Sequence, residues 1–380
     1  MQRILLLCLF LLSSLAPPAA LAQQASQYYL FVGTYTKKSS EGIYIYKFNT
    51  ENGKTQFVSK ATGVDNPSYL AFSPDGNYVY AVNEMGNSEA ASISSFLFDR
   101  DTGQLTFMNK QRSNGGAPAY TSIDSTGRAV FVANYGGGSF TMLPVRDNGS
   151  LAKAKITVQH GGRSVNKVRQ QKPHAHCTIL DPQNEQLFVT DLGNDTITGY
   201  AFDENAISLD TIPSSTFEVD PGNGPRHLVF HPNGEYAYLI NELSSTVTAF
   251  NYQDKSLKRI QQLSALPEGY KKNASGADIH ISPDGRFLYV SIREDFNKIV
   301  SYSINPESGK LTKVGAHSSG GIHPRNFMID PTGNYLLVAN MKTDNIVFYK
   351  RDKQTGRLSE MGKELELSMP VFLGMIPVEK

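Results

Sequence analysis

Short apolar runs alternate with turn residues along most of the chain, and residues 224–242 show the unit clearly. This stretch reads GPRHLVFHPNGEYAYLINE, in which two apolar runs flank a turn at residues 231–234. Runs rich in Tyr, Val, Ile, Leu and Phe, joined by Pro, Asn and Gly, predict a β-hairpin. Arg226 and His227 stand at its start, and Asn241 and Glu242 stand at its end. The direction of these two ends decides what their polar groups can do.

The same hairpin pattern occurs six times in the sequence. The copies begin at Asn66, Ala117, Lys172, Gly224, Gly276 and His323. Successive copies lie roughly 50 residues apart, and each hairpin is followed by a third and a fourth apolar run, with no convincing helical pattern after the N-terminal segment. A repeat of about this length, built from four antiparallel strands, is typical of a β-propeller.

The two chain ends complete a seventh copy. Residues 28–57 supply the later strands of one blade, and residues 369–376 supply its missing first strand. Pairing these segments would close the ring and remove its open edges. We therefore predict an all-β, seven-bladed β-propeller with four antiparallel strands per blade, closed by the N- and C-terminal strands in one blade. Two stacked β-sandwiches are the rival architecture.

The propeller topology predicts which polar residues come together. The first strand of a blade runs beside the central channel and the second returns, so the start of one and the end of the other share a rim. We expect Arg226 and Glu242 to meet there, joined by His176 from the preceding copy and Arg293 from the following copy. The candidate substrate-binding residues beside them are His174, His227 and Asn241.

These residue types favour chemistry on a small anionic molecule. The planar guanidinium of arginine matches carboxylate or phosphate, and a histidine near its ordinary pKa can move protons. Structural roles stay open: His227 could be a packing residue, and Arg226 could simply bridge blades to Glu242. A metal site built from His174, His176 and Glu242 is an alternative that we do not favour. The sequence contains no Gly-x-Ser-x-Gly motif and no phosphate-binding glycine-rich loop before a helix.

Composition and charge exclude several functional classes. With 36 Lys and Arg against 35 Asp and Glu, the net charge of +1 predicts neither nucleic-acid binding nor attraction to membranes. Arg3, an apolar run and Ala20-Leu21-Ala22 predict a signal peptide at residues 1–22, with a membrane anchor as the alternative. Residues 23–380 would then be one soluble propeller domain, periplasmic or secreted. Cleavage leaves Cys177 as the sole cysteine, which excludes an internal disulfide.

Four segments of the chain resemble the seven-bladed β-propeller lactonase family. They read KPHAHCTILDP, GPRHLVFHPNGEYAYLINE, GADIHISPDGRFLYVSI and HPRNFMIDPTGNYLLVAN, and the similarity runs over roughly residues 28–378. The family includes bacterial propeller-type 6-phosphogluconolactonases and fungal carboxymuconate cyclases. The resemblance implies an enzyme without metal or organic cofactor, in which His176, Arg226, Glu242 and Arg293 are catalytic. The chain departs from the family at Ile292-Arg293-Glu294, where an Asn-Arg pair followed by a small residue is usual.

We therefore hypothesise a monomeric lactonase that opens an anionic sugar-acid lactone, such as 6-phospho-D-glucono-1,5-lactone, to its acid. Glu242 or His176 would be the general base, and the arginines would hold the substrate. Because phosphorylated sugar lactones are cytosolic, the predicted export favours an unphosphorylated aldonolactone as an alternative substrate. A carboxymuconate-type cycloisomerase and a non-catalytic propeller that binds a sugar or a protein are the rival functions. Separations above about 10 Å among His176, Arg226 and Glu242 would exclude shared chemistry.

Overall fold

The computed structural model describes residues 25–378, so the predicted signal peptide at residues 1–22 lies outside the described part. The described chain is all β and contains 29 strands. The first fourteen are β1 (Gln27–Thr34), β2 (Gly42–Asn49), β3 (Thr55–Thr62), β4 (Leu70–Phe72), β5 (Tyr78–Asn83), β6 (Ser92–Asp99), β7 (Gln104–Arg112), β8 (Pro118–Ile123), β9 (Ala129–Asn134), β10 (Ser139–Pro144), β11 (Ile156–Gln159), β12 (Ala175–Leu180), β13 (Gln186–Asp191) and β14 (Thr196–Asp203). The others are β15 (Ser208–Leu209), β16 (Ser215–Glu218), β17 (Pro225–Phe230), β18 (Tyr236–Asn241), β19 (Thr246–Gln253), β20 (Ser256–Ser264), β21 (Ala274–Ile281), β22 (Phe287–Glu294), β23 (Lys298–Ile304), β24 (Leu311–Ser318), β25 (Pro324–Ile329), β26 (Tyr335–Asn340), β27 (Asn345–Arg351), β28 (Leu358–Glu366) and β29 (Pro370–Pro377).

The strands form seven antiparallel sheets, which are the blades of a propeller. Blade 1 has the strand order β29-β1-β2-β3, and blades 2 to 7 are β4–β7, β8–β11, β12–β16, β17–β20, β21–β24 and β25–β28. The C-terminal strand β29 is thus the first strand of blade 1, paired with β1 from Tyr28↔Pro377 to Thr34↔Pro370. The predicted seven-bladed propeller and its closure by both termini are confirmed. Blade 4 adds a short strand, because β15 pairs with one end of β14 while β16 pairs with the other.

The hydrophobic core is divided into clusters that lie between neighbouring blades. In β1, Tyr29 and Phe31 pack against blade 2, whereas Leu30 and Val32 pack against blade 7. The two-residue period of a strand therefore sends alternate side chains to different neighbours, and both sets are apolar. This is why the second strand of most blades reads as a continuous apolar run, and β9, β13, β18 and β26 are buried along their whole length.

A tyrosine on the second strand ties each of several blades to the next. The hydroxyl of Tyr238 donates to the carbonyl of Gly309 at 2.9 Å, and Tyr80 and Tyr289 make the same bond to Gly149 and Gly356. Gly309 has a φ of 65°, and a Cβ at this position would overlap the ring of Tyr236. The turn before the outer strand must therefore carry glycine, which explains its recurrence in the repeat.

Candidate active site

In several blades, the first strand begins with the same local structure, which directs one side chain into the channel. In several blades a residue with positive φ precedes the leading proline, as in Asn66-Pro67, Ala117-Pro118, Gly224-Pro225, His323-Pro324 and Met369-Pro370. The strand register then slips by one residue just after the proline, for example between Pro225 and His227. Such a β-bulge redirects the extra residue. The residues that follow these prolines, Ser68, Ala119, Arg226, Arg325 and Val371, accordingly line one small cavity in the channel.

Glu242 lies at the centre of the predicted site. It follows the last residue of β18 directly and is 5% exposed. Its Oε2 lies 3.1 Å from Nε of Arg226 and 3.1 Å from Nη2 of Arg293, and its Oε1 accepts a hydrogen bond of 2.6 Å from Arg169. The Nε2 atom of His176 lies 3.9 Å from Oε2. The predicted meeting of His176, Arg226, Glu242 and Arg293 is therefore confirmed, far inside the limit of about 10 Å.

The charges of this cluster determine its protonation states. Burial by itself would raise the pKa of Glu242, but Arg293, Arg226 and Arg169 together hold it well below the ordinary value. Burial and the neighbouring Arg293 and Arg325 lower the pKa of Arg226 to about 10. At neutral pH the carboxylate and the arginines are therefore all charged, and the carboxylate offsets the burial of several cations.

His176 is a neutral histidine within this charged cluster. It is 3% exposed, and burial followed by the Arg226 charge lowers its pKa well below the ordinary value. The register of blade 4 skips His176 between Ala175 and Cys177, so the same kind of bulge directs it toward the channel. Its Nδ1 atom is buried and has no hydrogen-bond partner among the described residues.

The three candidate substrate-binding residues, His174, His227 and Asn241, do not line the cavity at the mouth of the channel, called here the mouth cavity. The ring of His174 stacks on Tyr135 with centroids 4.6 Å apart, and its Nδ1 lies 2.9 Å from the Tyr135 carbonyl oxygen. Asn241 is fully buried and donates to Thr246 and Thr248 on β19. His174 thus supports Tyr135 and Asn241 braces the hairpin, and a direct role for either in binding substrate stays a prediction.

His227 lies deeper in the channel, where it supports Arg226. Nη1 of Arg226 donates to Nε2 of His227 at 3.1 Å, and Nδ1 of His227 donates to Asp278 at 2.8 Å. Burial and the Arg226 charge lower the pKa of His227 to about 4, so the ring is neutral at pH 7. His227 lines the small inner cavity and not the mouth. The position of His227 thus fits the alternative role of a packing residue better than it fits a role in substrate binding.

The structure adds residues that the sequence argument did not select. Arg169 comes from the loop between β11 and β12, and its Nη2 also donates to the hydroxyl of Tyr135 at 2.9 Å. Arg325 follows the leading proline of blade 7, the same position that Arg226 has in blade 5. The Pro-Arg pairs in GPRH and HPRN were the signal that could have identified Arg325. Arg169 carries no such signal, because its loop is outside the repeat.

These side chains surround a cavity of about 400 Å³ at the mouth of the channel. Its lining includes His176, Glu242, Arg169, Arg293 and Arg325. The volume is near the lower end for small-molecule sites, which fits a ligand of monosaccharide size. A larger opening of about 470 Å³ lies beside Asp344, and its lining contains no arginine.

Residues 25–378 contain neither a metal-binding cluster nor a membrane-spanning helix. No group of three or more His, Cys, Asp or Glu side chains is arranged there to hold a metal ion, so the alternative ligand set of His174, His176 and Glu242 is not assembled. In the same range, no helix is both long and apolar enough to cross a membrane.

The channel mouth of this propeller gathers several arginines, a buried carboxylate and a neutral histidine, which are residue types that suit a small anionic ligand. The comparisons with known proteins are more specific. The family model described as "Lactonase, 7-bladed beta-propeller" matches residues 29–375. The chain therefore belongs to the seven-bladed β-propeller lactonase family.

Individual relatives cover nearly the whole molecule. A 6-phosphogluconolactonase from Formosa agariphila is 38% identical over 88% of this chain and 96% of its own length. One from Bacillus subtilis is 34% identical over 91% of this chain and 97% of its own. The structure of the periplasmic gluconolactonase PpgL from Pseudomonas aeruginosa is similar to this one with a TM-score of 0.87, and its sequence is 33% identical. The match covers 93% of this chain and 100% of the PpgL chain.

Proposed function

We propose that this protein is a lactonase that hydrolyses a sugar-acid lactone of the gluconolactone type to the open acid. Membership of the lactonase family and relatives named 6-phosphogluconolactonase and gluconolactonase support this function. The observation that carries the proposal is the neutral His176 beside a carboxylate already bound by Arg169, Arg226 and Arg293. This arrangement supplies a base and stable positive charge within one small cavity.

His176 is the general base in this proposal. A general base works best when its pKa is near the working pH, and the pKa of Glu242 is held far too low. The pKa of His176 is lowered as well, but the lone pair of its neutral ring can take a proton from water as the new bond forms, whereas both oxygens of Glu242 are already bound by arginines. Its Nε2 is 3.9 Å from Glu242, short enough for one water molecule to contact both at about 2.8 Å.

The reaction then needs no additional group. His176 takes a proton from water as the water oxygen bonds to the ring carbonyl carbon of the lactone. The carbonyl oxygen becomes an oxyanion, which the arginine donors stabilise, each such donor being typically worth about 3 kcal/mol. Collapse of the adduct breaks the bond to the ring oxygen, which leaves as a hydroxyl with the proton from His176. The product acid loses its proton to solvent.

Glu242 organises the arginines rather than reacting. Its two oxygens contact three guanidinium groups from a loop, blade 5 and blade 6, which fixes their positions before substrate arrives. Arg226 is further held by His227 and by the carbonyl of Ala277. Fixed dipoles and charges stabilise a transition state because they need no reorganisation during the reaction.

The proposal includes export and a monomeric state. The predicted leader at residues 1–22 supports export, and a periplasmic gluconolactonase with the same fold is consistent with it. Cell fractionation with mass measurement of the purified protein tests this: cleavage after Ala22 and recovery outside the cytoplasm are expected. Size-exclusion chromatography with light scattering tests the monomer.

Hydrolysis is tested by acid release from a panel of lactones in a pH-stat. The panel contains glucono-1,5-lactone, its 6-phosphate and a lactone of a sugar diacid, and spontaneous hydrolysis is subtracted. A muconate-type diacid, followed by loss of diene absorbance, tests the cycloisomerase. Acid release above the spontaneous rate, removed by His176→Asn, supports the lactonase. Loss of diene absorbance without acid release, or binding without either reaction, would replace this function with one of its rivals.

A further inference from the structure

Arg325 occupies a rigid position beside the Glu242 cluster, on the blade that follows blade 6 in the ring. The cluster comes from blades 4 to 6 and a loop, whereas Arg325 comes from blade 7 and faces Tyr35, which follows β1 of blade 1, and Glu84 of blade 2. The neighbouring Asn326 locks the strand, accepting from the backbone of Leu373 at 2.8 Å and donating to Asp278. The backbone that carries Arg325 is therefore held from both sides.

Arg325 differs from the other arginines of the mouth because its guanidinium N–H groups have no acceptor within residues 25–378. Arg226 and Arg169 donate to Glu242, and Arg293 donates to Ser275 at 2.7 Å and to the carbonyl of Gly276 at 2.9 Å. Among the described residues, Arg325 makes no hydrogen bond. Its closest acid is Glu84, with Nη2 and Oε2 3.9 Å apart. A guanidinium has five N–H donors, and those of Arg325 are available to a ligand.

The surroundings keep Arg325 charged without neutralising it fully. Its side chain is 16% exposed, and its guanidinium lies 5.5 Å from the ring centroid of Tyr35. Glu84 is itself held by the hydroxyl of Tyr35 at 2.9 Å and by Ser68. Lys37 adds a second cation to the same side of the cavity. A largely buried cation with incomplete pairing is costly, and an anionic ligand would remove that cost.

We propose that Arg325 forms an anion subsite that binds a second charged group of the lactone, a phosphate or a carboxylate remote from the ring carbonyl. This inference rests on the proposed lactonase function and assigns its selectivity to a residue outside the reacting cluster. An uncharged sugar lactone would bind without this contact, so Arg325 sets the preference between charged and uncharged substrates.

The test compares selectivity ratios in the purified protein and in Arg325→Gln. Two ratios are measured, each relative to the kcat/KM for uncharged glucono-1,5-lactone. The first uses the kcat/KM for glucono-1,5-lactone 6-phosphate, and the second uses the kcat/KM for a carboxylated sugar lactone. We expect one ratio to fall by about 10- to 100-fold, the range of one charge-assisted hydrogen bond. The ratio that falls identifies the charged group. If neither ratio changes, or all substrates lose the same factor, the subsite does not exist.

Lys342→Ala is the matched control, because it removes one positive charge near the same rim. Lys342 lies 3.3 Å from Glu294, and its side chain is 47% exposed. A general attraction of anions to this face would lower the ratio in this variant too, and such a result would overturn a specific subsite at Arg325. We expect the ratio to change less than twofold, because exposed charges are well screened.

A binding measurement separates this inference from the proposed function. Inorganic phosphate at constant ionic strength should raise the melting temperature of the natural protein and of Lys342→Ala, but not that of Arg325→Gln. Equal stabilisation of Arg325→Gln would refute the subsite. If the natural protein hydrolyses no lactone, the lactonase proposal fails, and the phosphate measurement still decides whether Arg325 binds anions. Arg325→Lys, which keeps the charge, provides the same comparison should the glutamine variant not fold.

Discussion

Glu242→Gln tests the charge balance of the channel mouth, because it removes a charge while nearly keeping the size of the side chain. In the natural protein this carboxylate offsets the positive charges of Arg226 and Arg293, which are 2% and 5% exposed. Removing one partner of a buried ion pair leaves the other charge uncompensated and typically costs about 3–5 kcal/mol. Because the glutamine oxygen can still accept a hydrogen bond, we expect Glu242→Gln to lower the free energy of unfolding by an amount near the lower end of this range, about 3 kcal/mol at pH 7.

The effect should depend on pH with a defined sign. The pKa of Glu242 in the folded protein lies well below its ordinary value of 4.5. Its contribution to stability is therefore fully present above pH 4.5 and is lost as the pH falls toward the folded pKa. The natural protein loses about 1.4 kcal/mol of unfolding free energy per pH unit. The difference in unfolding free energy between the natural protein and Glu242→Gln should therefore narrow by roughly 2 kcal/mol between pH 4.5 and pH 3.

Urea unfolding followed by circular dichroism measures both quantities. Glu84→Gln is the control, because Glu84 stands at the equivalent end of the second strand in blade 2 but has a looser arginine contact of 3.9 Å. The glutamine oxygen can keep the hydrogen bond from Tyr35, so we expect a loss of about 1 kcal/mol. The proposed charge balance would be refuted if Glu242→Gln lowered the free energy of unfolding by less than 1 kcal/mol. It would also be refuted if the difference in unfolding free energy from the natural protein stayed constant from pH 7 to pH 3.

Four further results are expected. His176→Ala should lower kcat on a sugar lactone by about 100-fold or more, as for loss of a general base, while His174→Ala should change it less than about threefold; equal effects would remove His176 from the mechanism. Because the pKa of His176 lies below 6.5, kcat of the natural protein should stay constant from pH 7.5 to pH 6.5, and a fall across that range would contradict its neutral state. Burial raises the pKa of the Cys177 thiol to about 12, so a thiol reagent at pH 8 should react with the urea-unfolded protein and not with the native one. A chain ending at Ser368 lacks β29 and should fail to give the cooperative unfolding transition of the full chain, since the innermost strand of blade 1 is missing; an unchanged transition would show that closure contributes little.

The architecture could be predicted from the chain alone, because the same short-range pattern is repeated in every blade. Apolar strands, tight turns and a period near 50 residues define a four-stranded blade, and the incomplete copies at the two ends require each other. The meeting of Arg226 with Glu242 followed from the same topology, since it depends on the direction of strands and not on side-chain packing. His176 and Arg293 followed because equivalent positions in neighbouring blades share a rim.

Contacts between blades, which the sequence does not show, determine which polar side chains reach the cavity and which support it. A one-residue bulge turns His176, Arg226 and Arg325 toward the channel, and the sequence pattern does not display that slip in register. Asn241 is turned instead toward the hydroxyls of β19. Arg169 reaches Glu242 from a loop that has no counterpart in the repeat. Strand periodicity is local and can be read from the chain, whereas the partners of a charged group depend on distances between blades, which only the folded ring fixes.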